Sequence, residues 1–155
     1  MSVITVDVQV EGLKRKQVFA WLGEPDNHQR ILDGAFDEVS REGDREWQCT
    51  LKLFPKARTL RYRFLQMDDS HGGRRCLCET EGKRVGGKLH YSLRTPRAKK
   101  ATLVTLHYDY DPGSILGQAL NAAGLREGLE GAMEACLRNL QAAIYEDVKA
   151  GKLSE

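Results

Sequence analysis

Six aromatic side chains fall on alternating positions of the central segment: Trp47, Tyr62, Phe64, Tyr91, Tyr108 and Tyr110. Tyrosine hydroxyls that turn inward need hydrogen-bond partners. Several converging on one space satisfy one another, hold a water, or meet the polar end of a ligand. The same row also reads as plain core packing. Cys76-Leu77-Cys78 puts two thiols on one strand face, Cys49 joins that face, and Cys136 falls on a helix. A closed zinc site needs four tetrahedral ligands, and no histidine is spaced along the chain to complete one. Cysteines two apart on a strand do not meet disulfide geometry. The expectation is therefore four buried, reduced thiols and no metal. His28, His71, His90 and His107 are scattered, with His71 in a turn beside Asp69 and Ser70. A Ser-His-Asp arrangement is defined by geometry rather than spacing, so no catalytic residue is assigned. His28, just after Pro25-Asp26-Asn27, is the histidine whose position suits a ligand contact. Gly86-Gly87 precedes a strand, not a helix, so it is no phosphate loop, and no cofactor is expected.

The elements that hold these residues follow from periodicity. Residues 3–10 alternate, with Ile4, Val6, Val8 and Val10 inward. A helix spans roughly 14–22 and ends at Gly23; a second opens at Pro25, where the missing donor costs nothing, and closes at Gly34. From about 35 to 110 the chain reads as strands and turns. The inward rows are Trp47-Cys49-Leu51-Leu53, Leu60-Tyr62-Phe64, Cys76-Cys78-Thr80, Val85-Gly87-Leu89-Tyr91-Leu93 and Val104-Leu106-Tyr108-Tyr110. The turns fall at 42–44, 54–57, 68–73 and 95–100. Seven strands so spaced predict an antiparallel meander, with Gly86-Gly87 marking a bulge or bend, or else a close approach by a ligand. His90 and His107 fall on the opposite, outer face. After Asp111-Pro112-Gly113 one helix runs from about 114 to 149. Its stripe is Leu125, Leu129, Met133, Cys136, Leu137, Leu140, Ile144 and Val148. Glycines 117, 124, 128 and 131 thin its first half, each costing about 1 kcal/mol against alanine.

At 155 residues and a net charge of +2, the chain suits one domain, residues 1–155, with a real core. Residues 41–110 carry 16 Lys/Arg against 8 Asp/Glu. This basic middle reads as a solvated strand face that deters edge pairing, with a phosphate-bearing ligand, an anionic membrane or nucleic acid as the alternative; no nucleic-acid partner is expected. No run reaches the roughly 18 apolar residues of a membrane span. The first residues alternate rather than form a signal peptide, so the expected location is cytoplasmic with reduced thiols.

The order of elements, together with Val18-Phe19-Ala20-Trp21-Leu22-Gly23-Glu24-Pro25-Asp26-Asn27, resembles the START-like (SRPBCC) superfamily. This is the Bet v 1, polyketide cyclase and lipid-transfer group, where a V-x-x-W-L-x-D-P-x-N stretch is common; Glu24 stands where that pattern has Asp. The resemblance implies an α+β helix-grip fold. A seven-stranded curved antiparallel sheet would surround the long C-terminal helix, with two short helices after strand 1 and a cavity between sheet and helix. It also implies an apolar or amphipathic small-molecule ligand such as a lipid, polyketide or quinone. A non-catalytic carrier is the leading expectation, ahead of a cyclase or dehydratase and of a protein-assisting module. The expected cavity lies between the glycine-thinned helix, at Leu120 and Gly124, and Tyr62, Phe64, Tyr91 and Tyr108. Trp47 lines the same face, and Trp21 and His28 sit nearer its mouth.

Overall fold

The computed structural model describes residues 2–53, 56–97 and 100–153. Strand β1 (Ser2–Glu11) leads into helices α1 (Arg15–Leu22) and α2 (Pro25–Leu32). Six strands follow: β2 (Asp37–Gly43), β3 (Glu46–Leu51), β4 (Arg58–Asp68), β5 (Arg74–Glu81), β6 (Gly87–Arg94) and β7 (Ala101–Tyr110). The chain ends in α3 (Ile115–Leu120), a π-type turn at Asn121–Leu125, and α4 (Arg126–Lys149). The strands form one antiparallel sheet in the order β1-β7-β6-β5-β4-β3-β2. The antiparallel meander is the one expected from the alternating rows, and the helix-grip architecture is the one the resemblance implies. The turn tips at Phe54-Pro55 and Ala98-Lys99 lie outside the described residues.

The meander buries one face because its alternation is strict. Leu60, Tyr62 and Phe64 are 1–2% exposed, while Thr59, Arg61 and Leu65 point out. On the outer face Arg63 pairs with Glu79 and Glu46, and His90 stacks on His107 across β6 and β7 at 4.5 Å. Helix α4 lies along β1 and α2. Its side chains cover the exposed backbone of that edge strand: Gln141 donates to the Gln9 carbonyl at 2.7 Å, and the Tyr145 hydroxyl accepts from the Glu11 amide at 2.9 Å. Contacts of this kind hinder pairing of the edge with another chain.

Two details depart from the expectations. The Gly86-Gly87 pair is not a bulge. A β-carbon on Gly87 would collide with the Asp109 carbonyl of β7, so this glycine allows a close backbone approach. The register instead shifts between Phe64 and Gln66 and within β2, and such irregularities increase local twist and bend. The C-terminal helical run is also kinked, because Gly124 adopts φ 129°, ψ −10°. Beyond the kink the stripe is as expected, apart from its last turn, where Asp147 is buried and Val148 only half-buried. Leu137 and Leu140 are at most 2% exposed and Glu134 is exposed. Leu140→Ala is expected to cost about 3 kcal/mol, and Glu134→Ala no more than about 0.5 kcal/mol. Urea unfolding tests both; equal losses would place α4 in the wrong phase.

Candidate functional site

The concave face holds a hydrogen-bonded cluster with His28 at its centre. Pro25 starts α2, and Asn27 fixes its approach by donating to the Trp21 carbonyl at 2.8 Å. One turn of α2 then aims His28, Ile31 and Leu32 at the sheet, all fully buried. The His28 ring stacks on Phe64 at 4.4 Å and lies 6.0 Å from Trp47. Its Nε2 is 2.8 Å from the Leu22 carbonyl and its Nδ1 is 2.8 Å from the Tyr62 hydroxyl. A carbonyl only accepts, so in the neutral ring Nε2 carries the proton and Nδ1 accepts from Tyr62. The Tyr62 oxygen in turn lies 3.0 Å from the Tyr91 hydroxyl and 3.3 Å from the Cys78 thiol, which can both donate to it.

Burial sets the protonation of four of these groups. It lowers His28 to about 4, against the opposing hydrogen bond to Leu22 and with the help of the Arg45 charge. It raises the Tyr62, Tyr91 and Cys76 groups well above their ordinary values, neighbouring thiols and phenols adding to the effect. Near neutral pH His28, Tyr62, Tyr91 and Cys76 are uncharged. The cluster therefore forms a chain of neutral donors and acceptors in a dry interior, where satisfied polar groups fix one arrangement.

The fold brings His28 to Cys76 and Cys78, which spacing along the chain hides. Cys76 Sγ is 3.8 Å from His28 Nε2 and 4.0 Å from Cys78 Sγ, with all three donor atoms within 4.8 Å of one another. Three such donors fall short of the four of a closed zinc site. Both nitrogens of His28 are also engaged, and burial keeps Cys76 a thiol. These features weigh for a hydrogen-bonded core network at this cluster. Cys49, Cys76, Cys78 and Cys136 are all free and buried. Thiol titration in denaturant is expected to count four reduced groups, and elemental analysis to find no stoichiometric zinc; one zinc per chain would overturn this reading.

The structure keeps Trp47 against His28 and Tyr62 and separates the other candidate residues from that cluster. Trp47 donates from Nε1 to Gln29 at 2.7 Å. Tyr108 bonds Thr80 at 2.8 Å and the Val85 carbonyl, so it satisfies its hydroxyl apart from the His28 cluster. Tyr110 donates to Asn121 in the π-type turn. Trp21 and His28 are core residues, 4% and 0% exposed, and do not stand at a mouth. Trp21 instead donates to the carboxylate of Asp147 at 2.9 Å. Leu120 is half-buried, and no other residue lies within 4 Å of where a β-carbon on Gly124 would project. Sequence reasoning set Thr80 inward without giving it a partner, and passed over Asp147 and Arg30 as site residues. For Asp147 there was a signal: it follows Leu140 by seven residues and Ile144 by three, on the apolar stripe.

A curved antiparallel sheet closed on a long C-terminal helix, with a polar cluster in its grip, defines a helix-grip protein. The chain belongs to the family described as polyketide cyclase/dehydrase and lipid transport, whose model matches residues 1–144. Among solved structures it is similar to a protein of Thermus thermophilus, with 15% identity over 94% of this chain and 98% of that one and a TM-score of 0.63. It is also similar to norcoclaurine synthase from Thalictrum flavum in complex with dopamine and hydroxybenzaldehyde, with 16% identity over 94% of this chain and 87% of that one and a TM-score of 0.61. A conserved protein from Geobacillus kaustophilus gives 12% identity, 94% and 97% coverage, and a TM-score of 0.61. A search of curated proteins returns no match. No helix among the described residues is long and apolar enough to cross a membrane.

Proposed function

We propose that this protein binds an apolar or amphipathic small molecule at the end of the grip closed by α3 and the π-type turn. One observation carries the reading. Helix α3 holds two of its three large apolar side chains in solvent, Ile115 90% and Leu116 60% exposed. It packs chiefly on the turn that follows it rather than on the sheet. A glycine-kinked segment with unburied leucine and isoleucine is suited to close over an apolar guest, and exposed apolar surface of this kind marks binding sites. Family membership supports the same class of ligand. Of the tyrosines named from sequence as cavity lining, Tyr62 and Tyr91 already bond one another and Tyr108 bonds Thr80, so the guest is expected near Tyr110, Asn121, Leu120 and Leu125 rather than deep against Tyr62 and Tyr91.

Cyclisation or dehydration of a polyketide-like chain is the second reading, in line with the family's description. It would draw its proton transfers from the Tyr91–Tyr62–His28 chain, which requires the core to open to substrate. Non-catalytic carriage needs no such opening and is preferred. Native mass spectrometry of the purified protein is expected to retain a small molecule, and an environment-sensitive dye to bind at about one site. Ile115→Asp with Leu116→Asp should abolish dye binding with little loss of stability, and Lys52→Ala should leave it unchanged. Substitution at Gly124 is a poorer probe, because its positive φ strains any side chain placed there. Dye binding that survives both aspartates would remove α3 from the site.

A further inference from the structure

At the other end of the sheet, away from α3, lies a cleft of about 430 Å³. Its walls come from three places: Lys14, Arg15 and Lys16 at the start of α1, Arg74 at the start of β5, and Thr95 and Lys100 in the connection between β6 and β7. With Ala101, which opens β7, seven residues line it, and five of the seven are cations. Among the described residues none of the five forms an ion pair, although Arg61, Arg63 and Arg75 on the outer sheet face all do. Arg15 and Arg74 are half-buried, and Arg74 lies over the Phe19 ring at 5.6 Å, which holds its guanidinium at the cleft.

This concentration works against the local stability of the fold. The first turn of α1 contains no acidic residue. It carries consecutive positive charges where the helix macrodipole is itself positive and where Asp or Glu would stabilise. Cations converging from distant parts of the chain repel one another across the cleft as well. Where a sequence breaks local rules with no structural gain, a functional site is the expected cause.

We propose that this cleft binds a small anion carrying two or more phosphate groups. Arginine presents a planar fork that matches phosphate oxygens in pairs, and lysine adds point charge. Five positive charges spread over the cleft exceed what one phosphate neutralises, and the volume admits a chain of them. The site stands apart from the apolar site proposed at α3, so either can fail without the other.

The experiment is calorimetric titration of the full chain with inorganic tripolyphosphate, against sodium chloride and sulfate at matched ionic strength. One-to-one binding to tripolyphosphate alone is expected. Arg15→Glu and Arg74→Glu should each weaken it at least about tenfold, as loss of a charge-assisted hydrogen bond implies. Arg61→Glu, on the outer face, should not. Thermal unfolding of each variant without ligand distinguishes lost binding from lost folding, and Arg74→Lys should restore part of the affinity. Binding of several anions per chain, equal weakening by Arg61→Glu, or equal response to sulfate would reduce the cleft to a diffuse basic surface and overturn the proposal. So would binding of a single-stranded oligonucleotide with no response to tripolyphosphate.

Discussion

Acidification from about pH 6.5 to about pH 4 is expected to cost the native state about 3 kcal/mol through His28 alone. The sign follows from where the proton goes. In the unfolded chain the imidazole takes up a proton near its ordinary value of 6.5; in the folded protein burial holds that uptake down to about 4. Between these values the unfolded state binds more protons, so stability falls as pH falls. Above 6.5 both states are neutral and His28 contributes no slope. His90 and His107 are also lowered, by burial first; the His107 charge also lowers His90, and Arg94 lowers His107. Both sit on the outer face and are only partly buried, so their share is smaller. Urea unfolding across this range should therefore show a steep slope in the parent and in His90→Gln/His107→Gln, and a shallow one in His28→Gln. At neutral pH, His28→Ala should cost about 4 kcal/mol, since it removes a buried ring against Phe64 and leaves Tyr62 and the Leu22 carbonyl short of a partner. A parent with no slope above pH 4, or an unchanged slope in His28→Gln, would mean that the ring is accessible to water.

The placement of His28 also shows what periodicity can and cannot reveal. Alternation in Leu60-Tyr62-Phe64 and Leu89-Tyr91-Leu93 identifies the inward face, because a strand has only two faces and one of them is wet. The same logic puts Leu137 and Leu140 on the inner face of α4. It says nothing about which inward residues meet. His28 and Cys76 are 48 positions apart, and their contact depends on how α2 crosses the sheet, which eight residues with few apolar positions do not specify. The tyrosines were legible as inward and ambiguous in role; the structure pairs Tyr62 with Tyr91 and His28, and Tyr108 with Thr80. Gly86-Gly87 was legible as special, but the need it meets, room for the Asp109 carbonyl, belongs to a strand more than twenty residues away.

Asp147→Ala is expected to destabilise the protein by about 4 kcal/mol, the other large effect of a single side chain. Its carboxylate receives Arg30 through both terminal nitrogens, at 2.7 and 2.9 Å, and the Trp21 indole at 2.9 Å. Arg30 reaches on to the Ala143 carbonyl and to Asn27, each at 3.1 Å. One acidic group thus ties α1, α2 and α4 together. Removing it leaves a buried indole N–H unpaired, which costs about 1–3 kcal/mol, and strands a guanidinium that is still partly in water, so the ion pair itself adds less than a fully buried one would. Asp147→Asn keeps an acceptor for Trp21 and should lose about half as much. Glu146→Ala, one residue away and exposed, should stay within about 0.5 kcal/mol. The Arg30 hydrogen bond holds the Asp147 carboxyl below its ordinary value of 3.8, with Trp21 assisting against burial. Its contribution is therefore fully present above that value and is lost as pH falls through the lower folded one. Parent and Asp147→Ala should differ in urea midpoint near neutral pH and converge in strong acid. A constant difference at all pH values would mean that Asp147 acts through packing alone, and equal losses from Asp147→Ala and Glu146→Ala would dissolve the three-helix tie.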